Sequence, residues 1–228
     1  MAGRESAIIV GAGLGLGAAL ARACHAEGMD VVLAARDVTK LAPLARVIGA
    51  RTVRCDAASR DEVEALFAQA DGAFGAPSLV VYNPSRRVRG SIAELDPAAV
   101  HEALMVTCFG GFLVGREAAR RMLVRGSGSI LFTGASASVK GYPGSAPFAM
   151  GKFALRGLAQ SMARELGPRN IHVAHFVIDG GIAAPGETRP GDDRLDADAI
   201  AVTYLQVHRQ HRSAWTDEVA LRPWVESF

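Results

Sequence analysis

Short apolar runs alternate along this chain with longer amphipathic stretches, and that alternation restricts the fold more than any other feature. The runs "SAIIV" (6–10), "DVVLAA" (30–35), "RTVRC" (51–55), "SLVVY" (78–82), "SILFT" (129–133) and "IHVAHFVI" (171–178) are rich in β-branched residues and read as buried strands. Helical spacing falls between and after them, near 15–27, 38–48, 59–72, 97–124 and 147–167. Asp96-Pro97 predicts a helix start, an N-cap acceptor followed by a residue pre-set for the first turn. Strands separated by helices imply βαβ units. The expectation is an α/β fold with a doubly wound parallel sheet of about seven strands and helices on both faces. The terminal segment from Tyr204 onward predicts one helix and a short strand near 217–222. With no repeat and no second domain legible, residues 1–228 read as one domain. Segment 179–199, rich in Gly, Pro and Asp, reads as a lid or substrate loop.

The charge balance excludes some partners. A net charge of +2 arises from 25 basic and 23 acidic residues spread along the chain, so nothing suggests nucleic acid or a membrane surface. "RRVRG" (86–90) and "GREAARRM" (115–122) read as solvated loop and helix face. The apolar start is broken by four glycines and does not read as a targeting segment. No stretch reads as a bilayer span, and a cytoplasmic location is expected. Cys24, Cys55 and Cys108 lack metal-ligand spacing, so no metal is expected. They suit small buried side chains in a reducing compartment.

The first strand runs into "VGAGLGLG", with Gly11, Gly13, Gly15 and Gly17, where a helix opens. Such a unit lets backbone amides approach a pyrophosphate, and the helix N-terminus favours its negative charge. Nucleotide binding is the expectation.

The G-x-x-x-G-x-G spacing of Gly11, Gly15 and Gly17 resembles that of the short-chain dehydrogenase/reductase family, and further segments resemble it in order. "CDAASRDEV" resembles the family segment whose aspartate, here Asp56, contacts the adenine ring. "VVYNPS" stands in place of an Asn-Asn-Ala-Gly segment and retains Asn83. "GSILFTGAS" resembles the fifth strand, and F-x-x-x-K the Y-x-x-x-K helix. The resemblance spans roughly residues 5 to 182. It implies a single-domain Rossmann fold, with Gly11, Gly13, Leu14, Gly15, Leu16, Arg36, Asp56, Ala57, Asn83, Pro84 and Lys152 about the cofactor. In "VVLAARD", Ala35 replaces the acid that would bind a ribose diol, and Arg36 follows. A guanidinium suits a 2′-phosphate, so NADP(H) is favoured over NAD(H). Alternatively, Arg36 pairs with Asp37, or Asp37 itself reaches the ribose.

The same resemblance implies four catalytic positions, and three are changed. Phe148 stands at the tyrosine, Ala135 at the serine with Ser136 beside it, and Thr107 at the asparagine; Lys152 alone matches. The enoyl-reductase variant of the family would want tyrosine at Ser145. Phenylalanine carries no exchangeable proton, and removing one such acid typically costs on the order of 10²–10⁴ in rate. Candidate substitutes are Tyr142, Ser136 and Ser138, with His175 read as a core histidine and Asp179 as a carboxylate near the substrate. Tyr204, His208 and His211 share a helical spacing on the last helix; one reading folds that helix over the site, and a surface or dimer-facing stripe is an equal alternative.

The leading expectation is an atypical NADP(H)-dependent oxidoreductase with a small-molecule substrate, such as an activated alkene or iminium. The alternatives are an NADP(H)-binding regulatory or scaffold protein without turnover, and a non-redox lyase or cyclase reusing the pocket. A homodimer or homotetramer formed through the two long helices is implied by the resemblance.

Overall fold

The computed structural model describes residues 4–187 and 192–226. Seven strands form one all-parallel sheet: β1 (Ser6–Val10), β2 (Asp30–Ala35), β3 (Arg51–Arg54), β4 (Leu79–Tyr82), β5 (Gly128–Thr133), β6 (Ile171–Ile178) and β7 (Glu218–Leu221). Their order is β3-β2-β1-β4-β5-β6-β7, so the direction of winding reverses between β1 and β4.

Strand side chains alternate between two cores, as a period of two requires. Ile9, Leu33, Val81, Leu131 and Phe176 face α1 (Leu16–Ala26) and, near the C-terminus, a helix at Ala197–His208. Ile8, Val32, Val80, Ile130 and Phe132 face the opposite core. There they meet α3 (Arg60–Phe74), α5 (Gly110–Arg125) and α6 (Ala146–Leu166). α2 (Ala42–Ile48) joins β2 to β3, and α4 (Pro97–Leu104) precedes α5. The C-terminal helix is α7. Burying each large apolar side chain contributes roughly 1.5–3 kcal/mol.

Three sequence expectations need correction. The stretch expected as one helix over 97–124 is α4 and α5 joined by a π-helical turn at Met105–Phe109. The loop expected over 179–199 ends sooner, because Asp196 caps α7 by accepting from Ala199 N at 2.8 Å. That helix spends its first turn where loop was expected, and residues 188–191 of the segment lie outside the described residues. Finally, Pro97–Arg125 is long and apolar enough, by length and composition, to cross a membrane, with mean hydropathy 1.5 in its most apolar window. In this fold Leu113, Val114, Ala118 and Met122 of that stretch are buried in the core. The Asp96 cap is as expected, accepting from Ala98 N and Ala99 N.

Candidate active site

The carboxyl ends of β1 and β4 meet where the winding reverses, the position at which open α/β sheets leave a crevice. Gly11 turns the chain there with φ of +77°, a conformation glycine adopts without steric cost. Asn83, directly after β4, ties the two ends together: its Nδ2 donates to Gly11 O at 3.1 Å and its main-chain N to Val10 O at 3.0 Å. Gly17 lies so close to Ala12 that a Cβ would sit 2.9 Å from Ala12 Cα, which seats α1 tightly on the turn. At Gly13 and Gly15 the reverse holds, with no atom within 4 Å of where a Cβ would stand. The first turn of α1 carries no acidic residue and no side-chain cap. Bare backbone, open space and a free helix N-terminus together fit a pyrophosphate.

From this turn an open cleft of about 440 Å³ extends toward β2 and β3, lined by Gly11, Ala35, Arg36, Asp37, Lys40, Asp56, Ala57, Asn83 and Pro84 among others. Asp56 is held from both sides. Its Oδ1 accepts from Ala58 N at 3.0 Å, and its own N donates to Glu62 Oε2 at 2.9 Å. Arg36 forms no ion pair among the described residues, so the alternative pairing with Asp37 is absent there. Asp37 is instead engaged by Thr39, whose N and Oγ1 donate to Asp37 Oδ1 at 3.0 and 2.6 Å. Those bonds hold the Asp37 carboxyl below its ordinary range, with nearby Lys40 adding a smaller pull. Lys40 also lines the cleft. Sequence reasoning passed over it; its only signal is a second cation four residues beyond Arg36.

On the far side of Asn83 a second cleft of about 410 Å³ is walled by Leu16, Asn83, Ser85, Arg87, Thr133, Ala135, Phe148, Lys152 and the Gly180–Gly181 turn. Phe148 and Lys152 lie one turn apart on α6, on one face as their spacing demands. Lys152 Nζ donates to Thr133 O at 2.6 Å. Burial, with a smaller push from Arg87, lowers its ammonium to about 7. The Phe148 ring is buried, with the Arg87 guanidinium 4.3 Å from its centroid. Phe148 and Ala135 are shared with a third, outer cleft lined by Arg87, Arg89, Ser136, Tyr142 and Glu226.

Several candidates from the sequence lie elsewhere. Thr107 lines neither inner cleft: it is fully buried beneath Gly151, and its Oγ1 accepts from Arg86 N at 3.1 Å, pinning the loop after β4. Ser138 is buried and accepts from Ala135 N, so its hydroxyl closes a turn. Tyr204 is core, not surface stripe. It stacks on Phe176 at 3.6 Å and shares a 2.9 Å hydrogen bond with Thr133 Oγ1. His208 is bound to Ser129 Oγ at the opposite end of the sheet, and exposed His211 lies beyond α7. His175 is buried and only partly satisfied: Nδ1 lies 3.2 Å from Glu218 Oε2, while Nε2 has no hydrogen-bond partner. Asp179 is buried 3.7 Å from Arg222 and lines none of these clefts. Leu14 is exposed and, with Gly13 and Gly15, belongs to the turn between the clefts.

A parallel, doubly wound sheet with a bare glycine turn at its point of reversal defines a dinucleotide-binding α/β protein. Residues 5–189 match the family described as short chain dehydrogenase, and the chain belongs to that family of oxidoreductases. The crystal structure of a short-chain dehydrogenase from Rhodopseudomonas palustris is similar with a TM-score of 0.86 at 40% identity, covering 96% of this chain and 99% of that one. A metagenomic short-chain oxidoreductase in complex with NADP gives 0.85 at 27% identity, with 97% and 98% covered. Nodulation protein G of Rhizobium sp. (strain N33) is 30% identical over 204 residues, 89% of this chain and 82% of that protein.

Proposed function

We propose that this chain is an atypical NADP(H)-dependent oxidoreductase whose hydride transfer proceeds without the family's tyrosine and serine. One observation carries the reading: across Asn83 from the cleft that the glycine turn opens into, a second cleft has Phe148 and Lys152 as neighbours and only a methyl group at position 135. When bound, the cofactor supplies hydride from its nicotinamide ring. The amides about Gly13 and Gly15 hold the pyrophosphate, Asp56 and Ala57 flank the adenine, and Arg36 with Lys40 holds the 2′-phosphate. Asn83 and Pro84 form the floor between the two halves.

At the hydride end, Lys152 orients the ribose and holds a readily exchanged proton one turn from Phe148. Phe148 excludes water and packs the apolar part of a substrate. Ser136 offers a hydroxyl from the outer cleft, and Tyr142 stands at its mouth. With no strong acid at the reacting oxygen, an electron-poor alkene or an iminium is the suitable acceptor, because charge spreads away from the reacting carbon. Exposed Phe109, Phe112, Met150 and Phe153 on the helical segments Met105–Arg125 and α6 supply an apolar face for a homodimer.

The test is NADPH consumption over a panel of activated alkenes, imines and simple ketones, run beside a nucleotide titration. Turnover of the first two classes and little of the third is expected. Binding without turnover favours the regulatory or scaffold reading, and substrate conversion without NADPH oxidation favours a lyase or cyclase.

A further inference from the structure

The loop leaving β4 is pinned where it passes the cleft. Asn83 holds its start on Gly11, Arg86 N is bound by Thr107, and Gly90 N donates to Gly144 O at 3.1 Å. Three arginines project from the pinned segment. Arg86 pairs with Glu102 at 2.7 Å. Arg87 and Arg89, two residues apart, both line the outer cleft with Ala135, Ser136, Tyr142 and Phe148. Among the described residues neither Arg87 nor Arg89 has a carboxylate within ion-pair distance. Glu226, the one carboxylate among the described residues lining that cleft, pairs with neither of them.

The Arg87 side chain is nevertheless ordered by its surroundings. Its guanidinium lies over the Phe148 ring at 4.3 Å, an arrangement in which the ring face attracts the cation. Stacking occupies a guanidinium's flat face and leaves its N–H edge for a planar oxyanion, which that edge can bind through two parallel hydrogen bonds. Lys152 lies in the adjoining inner cleft, near enough for Arg87 to disfavour its charged form. Among the described residues, two guanidiniums against one carboxylate make the outer cleft electropositive. The cofactor's phosphates are assigned to the glycine turn and Arg36, beyond Asn83. The anion that suits Arg87 and Arg89 therefore belongs to the second ligand.

We infer that the outer cleft takes a small substrate carrying an oxyanion, a carboxylate or a phosphate, gripped by Arg87 and Arg89 while its apolar part lies along Phe148. This rests on the oxidoreductase reading for the word substrate, but the anion site itself does not. The replacement of tyrosine then has a second consequence: the ring at 148 becomes the platform that holds the anion-binding arginine.

Calorimetric titration of the full chain, without nucleotide and saturated with NADP⁺, tests this using two matched pairs: succinate against succinamide, and glycerol 3-phosphate against glycerol. In at least one pair the charged member binds ten-fold or more tightly than its neutral partner, and the pair that responds identifies the head group. The double substitution Arg87→Gln, Arg89→Gln removes that preference, and Arg89→Gln alone, outside the inner cleft, weakens it while leaving NADP⁺ affinity within about two-fold. Equal affinities within both pairs, no binding by either charged probe, or a preference that survives in the double variant overturns the inference. Failure of NADP⁺ to bind the wild-type chain strikes the cofactor reading instead, and the nucleotide-free titration still decides the anion site.

Discussion

Lys152 and Thr133 are joined by a 2.6 Å hydrogen bond from the lysine Nζ to the main-chain oxygen at the end of β5. The Thr133 hydroxyl in turn meets Tyr204 at 2.9 Å. An ammonium is thus fixed in a buried wall with a neutral carbonyl as its partner. A buried charge without a counter-ion costs free energy, and the group responds by releasing its proton more readily.

The first prediction concerns stability. Lys152 is lowered to about 7 in the fold, by burial first and Arg87 second, from an ordinary 10.5. Below pH 7 it is charged both folded and unfolded, so the full desolvation penalty is present. Between about 7 and 10.5 the unfolded chain holds more protons than the native one, and stability rises with pH. Lys152→Met is expected to be more stable than wild type at pH 6, by about 1–3 kcal/mol, with the advantage fading by pH 10. Urea unfolding at the two pH values measures it. A difference independent of pH contradicts the burial of charge at this position.

The second concerns the missing hydroxyls. Phe148→Tyr with Ala135→Ser restores a phenol one turn from Lys152 and an oxyanion partner at the end of β5. Carbonyl reduction with NADPH should rise by roughly 10–10² over wild type, short of the full 10²–10⁴ typical of a positioned acid–base group. The gain is partial, because buried Thr107 is committed to Arg86 N and supplies no relay. Initial rates on aldehydes and ketones, with cofactor affinity checked in parallel, measure it. No gain in a folded variant that binds cofactor normally means the cleft is rebuilt beyond these two positions.

The third concerns packing behind the site. A Cβ on Gly134 would overlap His175 Nε2 and lie 2.7 Å from Phe176 O. Because His175 is buried beside Glu218, it has little room to move. Gly134→Ala should cost about 1–3 kcal/mol through overpacking, read as a lower thermal midpoint. An unchanged midpoint contradicts the described contact between β5 and β6.

Strands were the most legible part of the sequence, because an all-parallel sheet buries both faces and leaves nearly unbroken β-branched runs. β1, β2 and β6 begin and end where those runs do. The π-turn at Met105–Phe109 left no mark, since its residues continue the apolar pattern of the helices on either side. The start of α7 was missed because Asp196 stands among other Asp and Gly residues that read as loop. In the cofactor half, local spacing carried the information: the glycine turn and Arg36 are short-range features. The other half is assembled from β4, β5, α6 and the turn after β6. Nothing in the order of residues says that Arg87 lies over Phe148, or that Tyr204 turns inward to Thr133.

In the proposed function, Arg36 and Lys40 read the 2′-phosphate, and Phe148 stands where the family resemblance implies a tyrosine. Titration of the wild-type chain with NADPH and NADH in one buffer, repeated with Arg36→Ala and Lys40→Ala, tests this most directly. NADPH should bind at least about ten-fold more tightly than NADH. Each substitution should weaken NADPH by roughly 1–2 kcal/mol, the scale of a lost charge-assisted hydrogen bond, and leave NADH unchanged. Equal affinity for the two nucleotides, or a preference for NADPH that persists in both variants, would contradict it.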